Sequence, residues 1–115
     1  MAEPPEIVAV PASATYELRR SVLRTGTCTT EVAFDGDHEA ATVHLAVVDQ
    51  RGDQPVVIAV STWLERPWPP QPDLPAVQLR GMATAPEHRG QGHGRRLLEE
   101  GLRRARKYGA HLVWA

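Results

Sequence analysis

Residues 77–114 read VQLRGMATAPEHRGQGHGRRLLEEGLRRARKYGAHLVW, and this stretch decides the architecture. Val77 to Thr84 is a strand pattern closed by Pro86, with Val77, Leu79, Gly81 and Ala83 on one face and Gln78, Arg80, Met82 and Thr84 on the other. From Gly94 to Tyr108, the residues Leu97, Leu98, Leu102, Ala105 and Tyr108 fall on one stripe of a 3.6-residue helix, opposite the arginines, Glu99 and Glu100. That stripe predicts a core position for Tyr108. Gly109 stands where a C-cap belongs, and His111 to Trp114 begins another strand. The stretch therefore reads strand, turn, helix, strand.

Upstream, Glu6 to Val10 is a short apolar run ending at Pro11, which suits a first strand. A helix is predicted from near Ala14, capped by Ser13 or Thr15, with Tyr16, Leu18, Val22 and Leu23 at helical spacing and Gly26 as C-cap. Tyr16 is thereby also expected in the core. Thr27 to Glu39 is polar and turn-rich. Thr42 to Val48 alternates Val43, Leu45 and Val47 against His44 and Ala46; Val56 to Leu64 is rich in β-branched residues. With Gly52 and Asp53 between them, the two form an antiparallel hairpin. Five prolines between Arg66 and Pro75 stop helix and sheet and predict a stiff, extended loop, whose P-x-x-P spacing reads as structure rather than as a ligand for a proline-binding module. The order β-α-β-β-β-α-β predicts a mixed α/β (α+β) fold, a mainly antiparallel sheet flanked by helices.

The 115 residues suffice for a single domain, 1–115, and 42% apolar against 23% charged residues exclude a disordered chain. No apolar run is long enough to span a bilayer and the N-terminus has no signal-peptide pattern, so a cytoplasmic protein away from membranes is expected. Cys28 is the sole cysteine, which leaves no intrachain disulfide and no cysteine-based zinc cluster. His38, His88 and His111 show no metal-ligand spacing, so no metal is expected. The net charge of -1 conceals an asymmetry. Between Pro86 and Tyr108, seven Lys/Arg outnumber three Glu on an otherwise acidic protein, which favours a small anionic ligand over a nucleic-acid backbone.

Gly90, Gly92 and Gly94 alternate just before the helix, so successive N–H groups can line one concavity without Cβ atoms in the way. The unpaired first-turn amides and the helix dipole favour a phosphate there, with Arg89, Arg95 and Arg96 as supplementary donors. A dinucleotide fingerprint fails, because Arg95 or Leu97 occupies the third glycine position, depending on register; a Walker loop fails for want of Gly-Lys-Ser/Thr.

The spacing that remains, R-x-x-G-x-G at Arg89, Gly92 and Gly94 after a strand and at a helix mouth, resembles the acetyl-CoA signature of the GNAT superfamily of N-acetyltransferases. The likeness runs from Gln78 to Trp114, and upstream the order of elements agrees. It implies that Arg89, Gly90, Gln91, Gly92, His93, Gly94 and Arg95 hold the CoA pyrophosphate, while Met82, Ala83 and Thr84 pair with the pantetheine arm. An N–H of Met82 or Ala83 would polarise the thioester carbonyl, where strand four splays from strand five. Acetyl-CoA and a primary amine of a small molecule or peptide would be the substrates. The family's strand-four carboxylate is absent from QLRGMAT. Glu65 and His44 are alternative bases, although a solvated Glu and a strand-packing His are the readings the sequence favours. Trp63 and Trp68 read as packing residues near an acceptor pocket. The family's fold continues beyond strand five, where its thiolate-protonating tyrosine lies, so the chain is expected to be C-terminally truncated or completed by a second copy. A non-catalytic acyl-CoA-binding module is the alternative, and a nucleic-acid module using the Arg-rich helix is a third class.

Overall fold

The computed structural model describes residues 5–24, 31–51 and 53–115. Five strands form one sheet in the order β1-β2-β3-β4-β5: β1 (Glu6–Val10), β2 (Val43–Arg51), β3 (Gln54–Glu65), β4 (Ala76–Thr84) and β5 (Leu112–Trp114). The first four make an antiparallel meander, and β5 lies parallel to β4 across the crossover helix α2 (His93–Lys107), giving the mixed, mainly antiparallel sheet expected. Both hairpin strands run further than their apolar cores, since the ladder continues to the pair Arg51 and Gln54. Backbone ladders continue under polar side chains when the strand end faces solvent. Gly26, Gly52 and Cys28 lie outside the described residues.

The first helical segment is shorter and less regular than its pattern predicts. It runs as a 3-10 turn (Ala12–Thr15), a single α turn, α1 (Tyr16–Leu18), and a π turn (Arg19–Leu23). Neither Ser13 nor Thr15 caps it: Pro11 holds the N-cap position, and the Thr15 hydroxyl donates back to the Ala12 carbonyl at 2.7 Å.

Alternation sends Leu45, Val47, Ile58 and Trp63 to the α2 side with Leu97, while Ala46, Val60, Ala83 and Ala85 meet Leu18 on the other side. The predicted single face of β4 is corrected. Val77 and Leu79 pack on the α2 side together with Met82, whereas Ala83 joins the opposite layer. A bulge causes the switch: Val60 pairs with Ala83 and Thr62 with Arg80, so Ser61 faces both Gly81 and Met82.

The stripe of α2 is corrected too. Its buried residues are His93, Leu97, Gly101 and Ala105, whereas Leu98 and Leu102 are 39% and 41% exposed and Tyr108 is 78% exposed. Gly101 explains the offset, because a Cβ there would overlap the Trp63 indole, which is buried against the helix. Gly109 closes the helix as expected, at φ +93°, with the Ala110 N–H bonded to the Ala105 carbonyl at 3.0 Å and the Gly109 N–H to that of Arg106 at 3.1 Å. The proline loop is not extended: Gln71 N–H bonds to Trp68 O and Leu74 N–H to Gln71 O, folding it into successive turns.

Candidate active site

β4 meets β5 only through Ala76, Val77 and Gln78, paired with Leu112, Val113 and Trp114. Beyond Gln78 that edge of β4 has no strand partner among the described residues. The bulge at Gly81 and Met82 lies on this open length. Gly81 takes φ +63°, and a Cβ on it would stand 2.6 Å from Cε2 of Phe34, so both conformation and space require glycine.

After β4, Pro86–His88 forms a 3-10 turn, and Gly90 and Gly92 adopt φ +77° and +86°. Nothing lies within 4 Å of where a Cβ would project from either glycine, and the nearest atom for Gly94 is the Met82 sulfur at 3.8 Å. The helix's first internal bond runs from the Arg96 N–H to the Gly92 carbonyl at 3.1 Å. Upstream of it, the N–H groups from Gly90 to Arg95 have no backbone acceptor among the described residues. These glycines thus form an open cradle of amides at the positive end of a 15-residue helix.

The neighbouring side chains are less uniform than their sequence suggests. Arg89 is exposed. The Arg95 Nε donates to Glu99 at 2.9 Å, and Arg96 Nη2 donates to the Pro5 carbonyl at 2.7 Å, which ties the helix start to the first strand. Gln91 Oε1 lies 3.1 Å from His93 Nε2 and 3.3 Å from His88 Nδ1. Burial, reinforced by the charge of Arg96 and by His88, lowers the His93 pKa below its ordinary value, against a weaker opposing pull from Asp49. Met82 thus brings the end of β4 to the glycine turn, while Ala83 faces the other core layer.

The two base candidates lie elsewhere. His44 is buried, with Nδ1 2.8 Å from the Thr62 hydroxyl and Nε2 2.9 Å from the Asp37 carbonyl, so both ring nitrogens are used structurally. Glu65 pairs with Val77, five residues before Met82, or roughly 16 Å along an extended strand. Glu65 and Trp63 instead line a cavity of about 410 Å³ between the proline loop and the C-terminal half of α2, roughly 20 Å along the helix from the glycine cradle. Trp63 does pack as expected, donating from Nε1 to the Ser61 hydroxyl at 2.9 Å.

Sequence reading missed a buried ion pair. Arg19 donates to both carboxylate oxygens of Asp37 at 2.7 and 3.1 Å, to the Val32 carbonyl and to the Thr62 hydroxyl, and both charged side chains are fully buried. Its guanidinium lies 3.7 Å from the centre of the Phe34 ring. The signal was present, since Arg19 falls four residues after Thr15 and four before Leu23, on the helix's buried face.

A profile of the acetyltransferase (GNAT) family matches residues 12–115. An uncharacterized N-acetyltransferase, YitI of Bacillus subtilis strain 168, is 26% identical over 109 residues, covering 95% of this chain and 70% of that protein. A ribosomal-protein-alanine N-acetyltransferase from Brucella melitensis superposes with a TM-score of 0.71 at 17% identity, over 97% of this chain and 79% of that one. Glucosamine-6-phosphate N-acetyltransferase from Arabidopsis thaliana superposes at 0.69 with 13% identity, over 98% and 82%. The superpositions show a shared fold, and the match across nearly the whole sequence establishes that the chain belongs to the acetyltransferase (GNAT) family.

Proposed function

We propose that the chain is an acetyl-CoA-dependent N-acetyltransferase that passes an acetyl group directly to a primary amine. The observation carrying this reading is the open amide cradle at Gly90, Gly92 and the first turn of α2, beside a strand edge that has no partner from Leu79 onward among the described residues. Acetyl-CoA supplies an activated acyl thioester when bound. Gly90 to Arg95 would hold its pyrophosphate through main-chain N–H groups, with Arg89 as the nearby cation, and Met82 to Thr84 would hold the pantetheine arm along the edge of β4.

The bulge gives the strand end a second role. An extra residue at Gly81–Met82 interrupts the ladder with β3, and an N–H of this bulge would serve a developing oxyanion. In the reaction the amine nitrogen bonds to the acyl carbon, the C–S bond breaks with its electron pair on sulfur, and the ammonium proton passes to water or to the thiolate. His44 takes no part as a base. Positioning and oxyanion stabilisation supply the catalysis, and the attacking amine must arrive deprotonated.

Calorimetry with acetyl-CoA tests the cradle. Gly92→Asp with Gly94→Asp places two carboxylates among the amides, and binding should weaken at least about a hundredfold while the melting transition is kept. Unchanged affinity in this double variant would overturn the reading. Binding without amine-dependent thiol release would instead make the chain an acyl-CoA-binding module.

A further inference from the structure

Around the β4 bulge, on the face opposite α2, three guanidinium groups surround one aromatic ring. Arg19, Arg80 and Arg24 lie 3.7, 4.8 and 5.8 Å from the centre of the Phe34 ring, which itself sits on Gly81. Their charges are not equally available. Arg19 is neutralised by Asp37, and the Arg24 Nε donates to the Glu31 carbonyl. Arg80 is exposed, and among the described residues no carboxylate lies within ion-pair distance of it. Two other acids of the loop serve Arg66: Glu39 chelates it at 2.7 and 2.8 Å, and Asp35 acts on it as well.

A second observation points the same way. The Arg19 Nε is buried with no hydrogen-bond partner among the described residues, and it lies 3.4 Å from where a Gly81 Cβ would stand. The floor beneath the ring is therefore short of acceptors. The Arg80 charge, with no carboxylate at ion-pair distance among the described residues, favours an anion and repels a second cation. Arg80 is also two residues from Met82, roughly 7 Å along the strand, so the charge stands beside the point where the acyl group would be presented.

We infer that the acceptor is a small amine carrying an anionic group, a carboxylate or a phosphonate-like oxyanion, which pairs with Arg80 against the Phe34 ring. This inference rests on the acyl-transfer reading and adds the class of acceptor. The Arg80 guanidinium carbon lies 4.8 Å from the centre of the ring, and a guanidinium in such a contact can still offer its fork to two acceptor oxygens. The arrangement selects against polyamines, which bring a second positive charge to the same place.

The test is a set of steady-state assays with α-amino acids, their amides, the matching aminophosphonates and putrescine, each repeated with Arg80→Gln, Arg80→Lys and the distant control Arg106→Gln. KM for at least one anionic arm should be about tenfold or more below that of its amide, with a similar kcat. Arg80→Gln should raise that KM to the amide's level, Arg80→Lys should restore part of the difference, and Arg106→Gln should leave it intact. Titration of the same amines into protein without acetyl-CoA gives a readout independent of turnover, and saturable binding of the anionic arm should vanish in Arg80→Gln. Amides or putrescine used as well as the anionic arms, or a KM ratio unmoved in Arg80→Gln, overturns the inference while acetyl-CoA binding continues to support the enzyme reading. Failure of the protein to bind acetyl-CoA overturns both.

Discussion

Arg19 and Asp37 form a buried pair that joins the first helical segment, the 31–39 loop and β3. Removing one partner strands the other's charge in the core, so Asp37→Ala should cost about 3–5 kcal/mol in denaturant unfolding. Burial pushes the Asp37 carboxyl up, but the Arg19 hydrogen bond, the Phe34 N–H and nearby positive charge outweigh it, and its pKa lies below the ordinary 3.8. Hydrogen bonds from Arg103 and then Arg104 hold Glu100 at about 2. Both folded values are depressed, so the stabilisation is complete above the unfolded carboxyl values and is lost as pH falls through the folded ones. The two carboxylates should therefore leave the melting temperature unchanged down to about pH 5 and lower it below about pH 4. That drop should be shallower, from a lower plateau, in Asp37→Asn. His93 adds a smaller loss with the same sign, beginning below its ordinary value of 6.5.

At the scale of elements, α2 is both the roof of one core layer and the source of the amide cradle. Its seating depends on Gly101, which admits the Trp63 ring. Alanine at this position would gain about 1 kcal/mol of helix propensity, yet its methyl group would occupy the indole's place. Gly101→Ala should therefore destabilise by roughly 1–3 kcal/mol in thermal unfolding, the opposite sign to an exposed helical glycine. If the helix lifts, acetyl-CoA affinity should fall with it. Gly81 plays the corresponding part on β4, where the positive φ and the Phe34 ring jointly exclude a side chain. Neither glycine was recognisable from periodicity. Gly101 lies between two leucines that appear to define the stripe, and the bulge at Gly81 inverts a face that simple alternation assigns the other way.

Across the whole molecule, Arg89, Arg95 and Arg96 and the positive pole of the helix dipole stand at the start of α2, whereas Arg104, Arg106 and Lys107 occupy its last turn. Binding of a polyphosphate there should be salt-sensitive: raising NaCl from about 0.05 to about 0.5 M should weaken acetyl-CoA binding several-fold in calorimetry, with little change in melting temperature. The glycine spacing, the amphipathic helix after it and the strand order were legible in the chain itself, because periodicity and turn chemistry are local properties. The resemblance to the family was legible there too, and the match over residues 12–115 bears it out. The packing phase of α2, the exposure of Tyr108, the turns of the proline loop and the placing of Glu65 and His44 away from the glycine turn were decided only by tertiary structure. Each of these depends on which residue of a distant segment occupies the space: Trp63 opposite Gly101, Phe34 on Gly81, Thr62 beside His44. The Arg19–Asp37 pair, 18 residues apart in the chain, belongs with them, since desolvation and pairing of two charges exist only once the layers close around them.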